Sequence, residues 1–182
     1  AIEVRSIKLN GRMGSIQKWR TDLKPKYDFS GMGPEELTPG EIAQVQREHV
    51  VDWLIANHDG HAKQFLRTKD GRILGIDKGQ LFKHLGSDQL SVDYHPNSVH
   101  GESEPYYNTV FRAAKQKKVG FDPAATLKTI REVEKIPDED YLAALRPYAE
   151  GRFGKDKAKL DAFYATALGR KNNIRRDFEA FY

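Results

Sequence analysis

The chain has 182 residues, 38% of them hydrophobic and 31% charged, enough for one domain with a sizeable core and too few for two ordinary ones. No apolar run approaches the ~20 residues that span a bilayer, the N-terminus Ala1-Ile2-Glu3-Val4-Arg5 is not a secretory signal, and the absence of cysteine excludes disulfides and thiolate zinc sites. The formal charge of +4 is spread along the chain without aromatic interleaving, so no nucleic-acid platform is expected, and the absence of cysteine leads to the expectation of a cytoplasmic protein.

In chain order, Ile2 to Leu9 reads as a strand ended by an Asn10-Gly11 turn. Residues 21–40 hold Pro25, Gly31, Gly33, Pro34, Pro39 and Gly40, and that density of breakers predicts a loop. Thr38-Pro39-Gly40-Glu41 has capping-box spacing, with proline at the first helical position. The helix it opens carries Ile42, Val45, His49, Val50, Trp53 and Leu54 on one face, at steps of three and four. A polar loop, Asn57 to Gln64, follows. The apolar runs Phe65-Leu66 and Ile73-Leu74 flank Thr68-Lys69-Asp70-Gly71, which predicts a β-hairpin.

Gly86 to Pro105 is polar and irregular, with Asp93-Tyr94-His95-Pro96-Asn97 read as a turn. Helices are then predicted from Tyr106 to Val119 and from Pro123, with Asp122 as cap and Leu127, Ile130 and Val133 as the stripe. Another starts at Pro137-Asp138 and carries Tyr141, Leu142, Leu145 and Tyr148. The last runs from about Asp156 to Tyr182, with Gly169 as a break or kink. The expected fold class is α+β and mostly helical, with a small central hairpin. Residues 1–40 form a strand and loop, and residues 41–182 form the main lobe.

A hairpin returns its ends to one edge. Asp59, before the first strand, and Asp77, after the second, are therefore expected to face one cleft. An acid that can accept a proton beside an acid that can hold a metal is the arrangement of a phosphoryl-transfer site. Gln64 can offer an amide oxygen to a metal, and magnesium takes few protein ligands. His61 and Lys63 can order the loop or neutralise a transferred phosphoryl group. Asp70 reads as a turn residue. Six histidines include the pairs His58/His61 and His95/His100, but no closed set of four zinc ligands is visible.

The loop Asp59-Gly60-His61-Ala62-Lys63-Gln64, the hairpin, and Asp77-Lys78-Gly79 together resemble the catalytic core of atypical kinases of the phosphoinositide-kinase-like and HipA-type families. Asn57 and Lys63 sharpen the HipA side, and Ile76 to Phe82 looks like the type II phosphatidylinositol 4-kinase version. The resemblance implies the large, C-terminal lobe of a protein-kinase-like fold over residues 41–182. It implies Asp59 as catalytic base, His61 and Lys63 in support, and Gln64 and Asp77 as ligands of magnesium. The families' loop usually ends in Asn, and Gln64 is one methylene longer.

Upstream, Gly14-Ser15-Ile16-Gln17-Lys18-Trp19 resembles the hinge of type II phosphatidylinositol 4-kinases. That implies adenine contacts from Ile16, Gln17 and Trp19, with Ile7 to Trp19 as the hinge strand. About a dozen residues before it are too few for a phosphate-covering loop and a phosphate-pairing lysine. The small lobe is therefore expected from another segment or chain. The implied activity is transfer of phosphate from ATP to a protein hydroxyl. A lipid acceptor is second, since no amphipathic Lys-rich helix with exposed aromatics is visible. The alternative is a degenerate lobe that binds a partner without catalysis. Gln64 and the missing lobe favour it, and the retained Asp59 and Asp77 oppose it.

Overall fold

The computed structural model describes residues 4–9, 12–17, 20–85 and 104–181. Trp19, the Asp93–Asn97 turn and His100 lie outside them. The described residues form two antiparallel two-stranded sheets and five α-helices, an α+β and mostly helical fold.

Strand β1 (Val4–Leu9) pairs with β2 (Arg12–Gln17), with Leu9 opposite Arg12 and Val4 opposite Gln17. The strand ending at Leu9 is therefore present. The uninterrupted hinge strand from Ile7 to Trp19 is not, because β1 and β2 run antiparallel with Leu9 opposite Arg12, so the chain reverses between them.

Residues 21–38 form the expected irregular segment, but they are packed down. Phe29, Met32 and Leu37 are buried against Ile42, Val45, Phe65 and Tyr106. A chain rich in breakers cannot satisfy its own backbone, so its neighbours do. The Lys24 N–H donates to the Arg67 carbonyl (3.0 Å), and the Arg67 N–H donates to the Tyr27 carbonyl (2.6 Å). This segment and the start of the helix that follows it thus pack in one cluster.

Helix α1 (Pro39–Leu54) opens on the predicted capping box. The Glu41 N–H donates to Thr38 Oγ1 (3.2 Å), and the Thr38 N–H donates to Glu41 Oε2 (3.0 Å). Its apolar face is buried at Ile42, Val45, His49, Val50 and Leu54. Trp53 is half-buried and lies beneath the Arg170 guanidinium, 4.4 Å from ring centre.

Glu41 is 2% exposed, and its Oε1 accepts from Arg67 Nε at 2.9 Å with Lys24 Nζ at 3.3 Å. Burial alone would raise its pKa. The hydrogen bonds from Arg67 and Thr38, and the charges of Arg67 and Lys24, outweigh burial and bring it down to about 2. A depressed carboxylate contributes stability above its unfolded pKa and loses it as pH falls through the folded one. Glu41→Gln is therefore expected to cost about 2–3 kcal/mol at neutral pH. The deficit should shrink steadily as pH falls from about 4.5 toward 2. Urea unfolding of both proteins across that range checks it, and a pH-independent deficit contradicts it.

Strands β3 (Phe65–Arg67) and β4 (Ile73–Gly75) form the predicted hairpin, with Phe65 opposite Gly75 and Arg67 opposite Ile73. Thr68 Oγ1 accepts from the Arg72 N–H and donates to Asp70, and Gly71 takes the positive φ (82°) that closes the turn. Asp70 is a turn residue, as read.

Helix α2 (Tyr106–Lys115) stops short of Val119, where Lys117 adopts a positive φ. Helix α3 (Pro123–Glu134) starts on Asp122, whose Oδ1 accepts from the Ala124 N–H at 2.9 Å. Helices α4 (Asp138–Phe153) and α5 (Lys157–Phe181) complete the chain. Gly169 does not break α5. The buried residues Phe163, Ala167, Ile174 and Phe178 hold one stripe across it, and that burial exceeds the ~1 kcal/mol cost of a helical glycine.

Two apolar clusters result. One gathers Val50, Leu54, Ile130, Tyr141, Phe163 and Phe178 between α1, α3, α4 and α5. The other gathers Phe29, Val45, Phe65, Tyr107 and Phe111 beneath the hairpin. Helix α1 contributes to both, and the polar loop leaves from its C-terminal end. Among the described residues no helix is long and apolar enough to cross a membrane.

Candidate active site

Where α1 ends, two connections cross. The Asn57 N–H donates to the Asp52 carbonyl (2.8 Å), and the Phe82 N–H reaches the carbonyls of Ile55 (3.1 Å) and Ala56 (3.2 Å). The chain leaving β4 is thereby held against the start of the polar loop. Asn57 is fully buried and works in both directions. Its Nδ2 donates to Asp52 Oδ1 (3.1 Å), and its Oδ1 accepts from the Asp59 N–H (3.4 Å).

Asp59 is half-buried. Gln64 Nε2 donates to Asp59 Oδ2 at 3.1 Å. His61 Nε2 lies 3.3 Å from Asp59 Oδ1. His61 Nδ1 accepts from the Lys63 N–H (3.2 Å). The carbonyl of Gln64 accepts from the Ile76 N–H at 2.9 Å, and Asp77 follows directly. The structure therefore joins Asp59, His61 and Gln64 through their side chains, and brings Asp77 to the same loop through the backbone. Lys63 and Asp77 are exposed. Ile16 and Gln17 end β2, opposite Arg5 and Val4.

Below this loop lies a charged group that the sequence reading missed. Asp52, on α1, is completely buried. Lys78, the middle residue of Asp77-Lys78-Gly79, places Nζ 2.7 Å from Asp52 Oδ1 and 3.1 Å from Glu48 Oε2. The same ammonium stands 5.9 Å over the Phe65 ring. Burial pushes the Asp52 carboxyl up, against the pull of Lys78. Burial would lower Lys78, but the charges of Asp52 and Glu48 outweigh it and raise its pKa. Lys78 therefore remains an ammonium between two carboxylates.

Three glycines make room for these groups. A Cβ at Gly60 would stand 2.9 Å from Asp52 Oδ2 and 3.1 Å from Tyr107 Cε1. One at Gly75 would overlap the Glu48 carboxylate and lie 2.9 Å from Lys78 Nζ, and one at Gly79 would lie 3.3 Å from Asp77 Oδ1. The signal available in the sequence was a carboxylate, Asp52, seven residues after Val45 and three after His49 on an otherwise apolar stripe. Glu48 stands one turn before it.

Asp59, Gln64 and Asp77 supply hard oxygen donors of the kind magnesium prefers. Gln64 directs its amide nitrogen to Asp59, so its amide oxygen is the atom it can offer to a cation. Among the described residues no cluster of three or more His, Cys, Asp or Glu could hold a metal alone. A cation here would share its shell with substrate or water oxygens, as magnesium does. Neither protein-family models, nor curated proteins, nor solved structures give a match to this chain.

Proposed function

We propose that the chain is the large lobe of a kinase-like, ATP- and magnesium-dependent phosphotransferase acting on a protein hydroxyl. The observation that carries this reading is the Asp59–Gln64 contact, in a loop closed onto the Asp77 turn by the hydrogen bond from Ile76 to Gln64. Asp59 accepts the proton of the acceptor hydroxyl, and the donor from Gln64 keeps its carboxylate oriented for that task. Gln64 and Asp77 hold magnesium, which when bound neutralises charge on the phosphates. Lys63, exposed on the same loop, offers a cation to the transferred group. Ile16, Gln17 and Trp19 meet the adenine, and another segment or chain covers the phosphates.

The test is thermal unfolding with ATP, with and without magnesium. At about one hundred times Kd, ATP is expected to add about 2.7 kcal/mol, a rise of roughly 5–10 °C, only when magnesium is present. Asp77→Asn should remove most of it. No magnesium-dependent rise would overturn the enzyme reading and favour the partner-binding lobe. The observation favouring that second reading is the same contact, since a Gln64 amide resting on Asp59 also describes an idle carboxylate.

A further inference from the structure

We propose that Lys78 is a positioning residue: anchored by Asp52 and Glu48 of α1, it fixes the turn that presents Asp77 to the cation. This rests on the phosphotransferase reading. Asp77 has a φ of 49°, in the left-handed region that is uncommon outside glycine although aspartate enters it more readily than most residues, and a turn of this kind keeps one conformation only if something holds it. The next side chain supplies the constraint. Lys78 reaches back past Gly75 to two carboxylates on a helix shared by both apolar clusters. Its ammonium stands over Phe65, the residue paired with Gly75 across the hairpin. The turn is thus tied to α1 from within. Asp59 is tied to the same Asp52 through Asn57, so one buried carboxylate sets the spacing of both acids.

A stability role alone does not account for this group. A buried ion pair is generally no better for folding than apolar residues of the same volume, and its attested use is to fix one arrangement among several. The requirement for glycine at positions 60 and 75 follows from that arrangement: both leave space for the carboxylates that anchor Lys78.

The experiment compares the wild type with Asp52→Asn/Lys78→Met, which removes both charges together, and with Glu48→Gln, which leaves the Asp52–Lys78 pair in place. Two quantities are read: the melting temperature without magnesium, and the magnesium concentration that half-saturates the ATP-induced rise in melting temperature. The double variant is expected to melt near the wild type without magnesium and to need about tenfold more magnesium or higher. Glu48→Gln should show a smaller rise with an unchanged magnesium-free melt. If the double variant does not fold, Glu48→Gln decides. A folded variant with unchanged magnesium half-saturation overturns the positioning role while leaving the phosphotransferase reading standing. A wild type without any magnesium-dependent response overturns both.

Discussion

Asp59→Asn is expected to lower phosphoryl transfer, read as release or incorporation of the γ-phosphate of ATP at saturating nucleotide and magnesium, by about two to four orders of magnitude. The reason is local. Asp59 Oδ2 accepts from Gln64 Nε2, and its Oδ1 lies 3.3 Å from His61 Nε2. The amide keeps the shape but cannot take the hydroxyl's proton. Folding should change little, about 1 kcal/mol at most, because the one hydrogen bond at stake is that from Gln64. The magnesium-dependent ATP shift should persist, since the role proposed for Asp59 is toward the acceptor hydroxyl and not the nucleotide. A variant retaining more than about a tenth of the wild-type rate would remove Asp59 from the role of base, because general-base catalysis contributes far more than that. A variant losing the ATP shift as well would move Asp59 into the metal set.

The second large effect is on stability. Lys78→Met alone is expected to destabilise the fold by about 3–5 kcal/mol at neutral pH, because it leaves the wholly buried Asp52 carboxylate without its cation. In melting temperature that is roughly 10 °C for a chain of this size. The loss should depend on pH with a definite sign. A carboxyl whose folded pKa is raised contributes stability at low pH and loses it as pH rises through the folded value. Removing Lys78 takes away the charge that opposes the upward push of burial on Asp52, so the deficit relative to wild type should be smaller near pH 5 than near pH 8. Urea unfolding at the two pH values measures it. An equal or inverted dependence would show that Asp52 is not the group left exposed to the loss.

Local signals in the sequence were read well because their partners are close along the chain. The Thr38–Glu41 box, the stripe of α1, the hairpin about Thr68-Lys69-Asp70-Gly71 and the Asp122 cap all join residues within a few positions. The loop from Asp59 to Gln64 belongs to the same class, since its internal contacts span five residues. What was not legible joins distant residues. Lys78 meets Asp52 across 26 positions, and no periodicity announces such a pair; a carboxylate on an apolar stripe reads as a flaw until its partner is seen. Gly169 failed in the opposite sense: its local penalty is real, but Ala167 and Ile174 on either side are buried by other helices. The single hinge strand failed because a motif match over six residues outweighed the Asn10-Gly11 signal inside the expected strand.

The sharing of α1 between two apolar clusters has a consequence for how the site yields to thermal fluctuation. An element that closes two cores opens only when both dissolve, so the amides around Asp52 should belong to the last unit to exchange with solvent. The exposed turn at Asp77 and the exposed loop at Lys63 lie at the other end of that scale. The buried base of the candidate site is thus drawn from the most persistent part of the molecule, and its exposed rim from parts that can give way without loosening it.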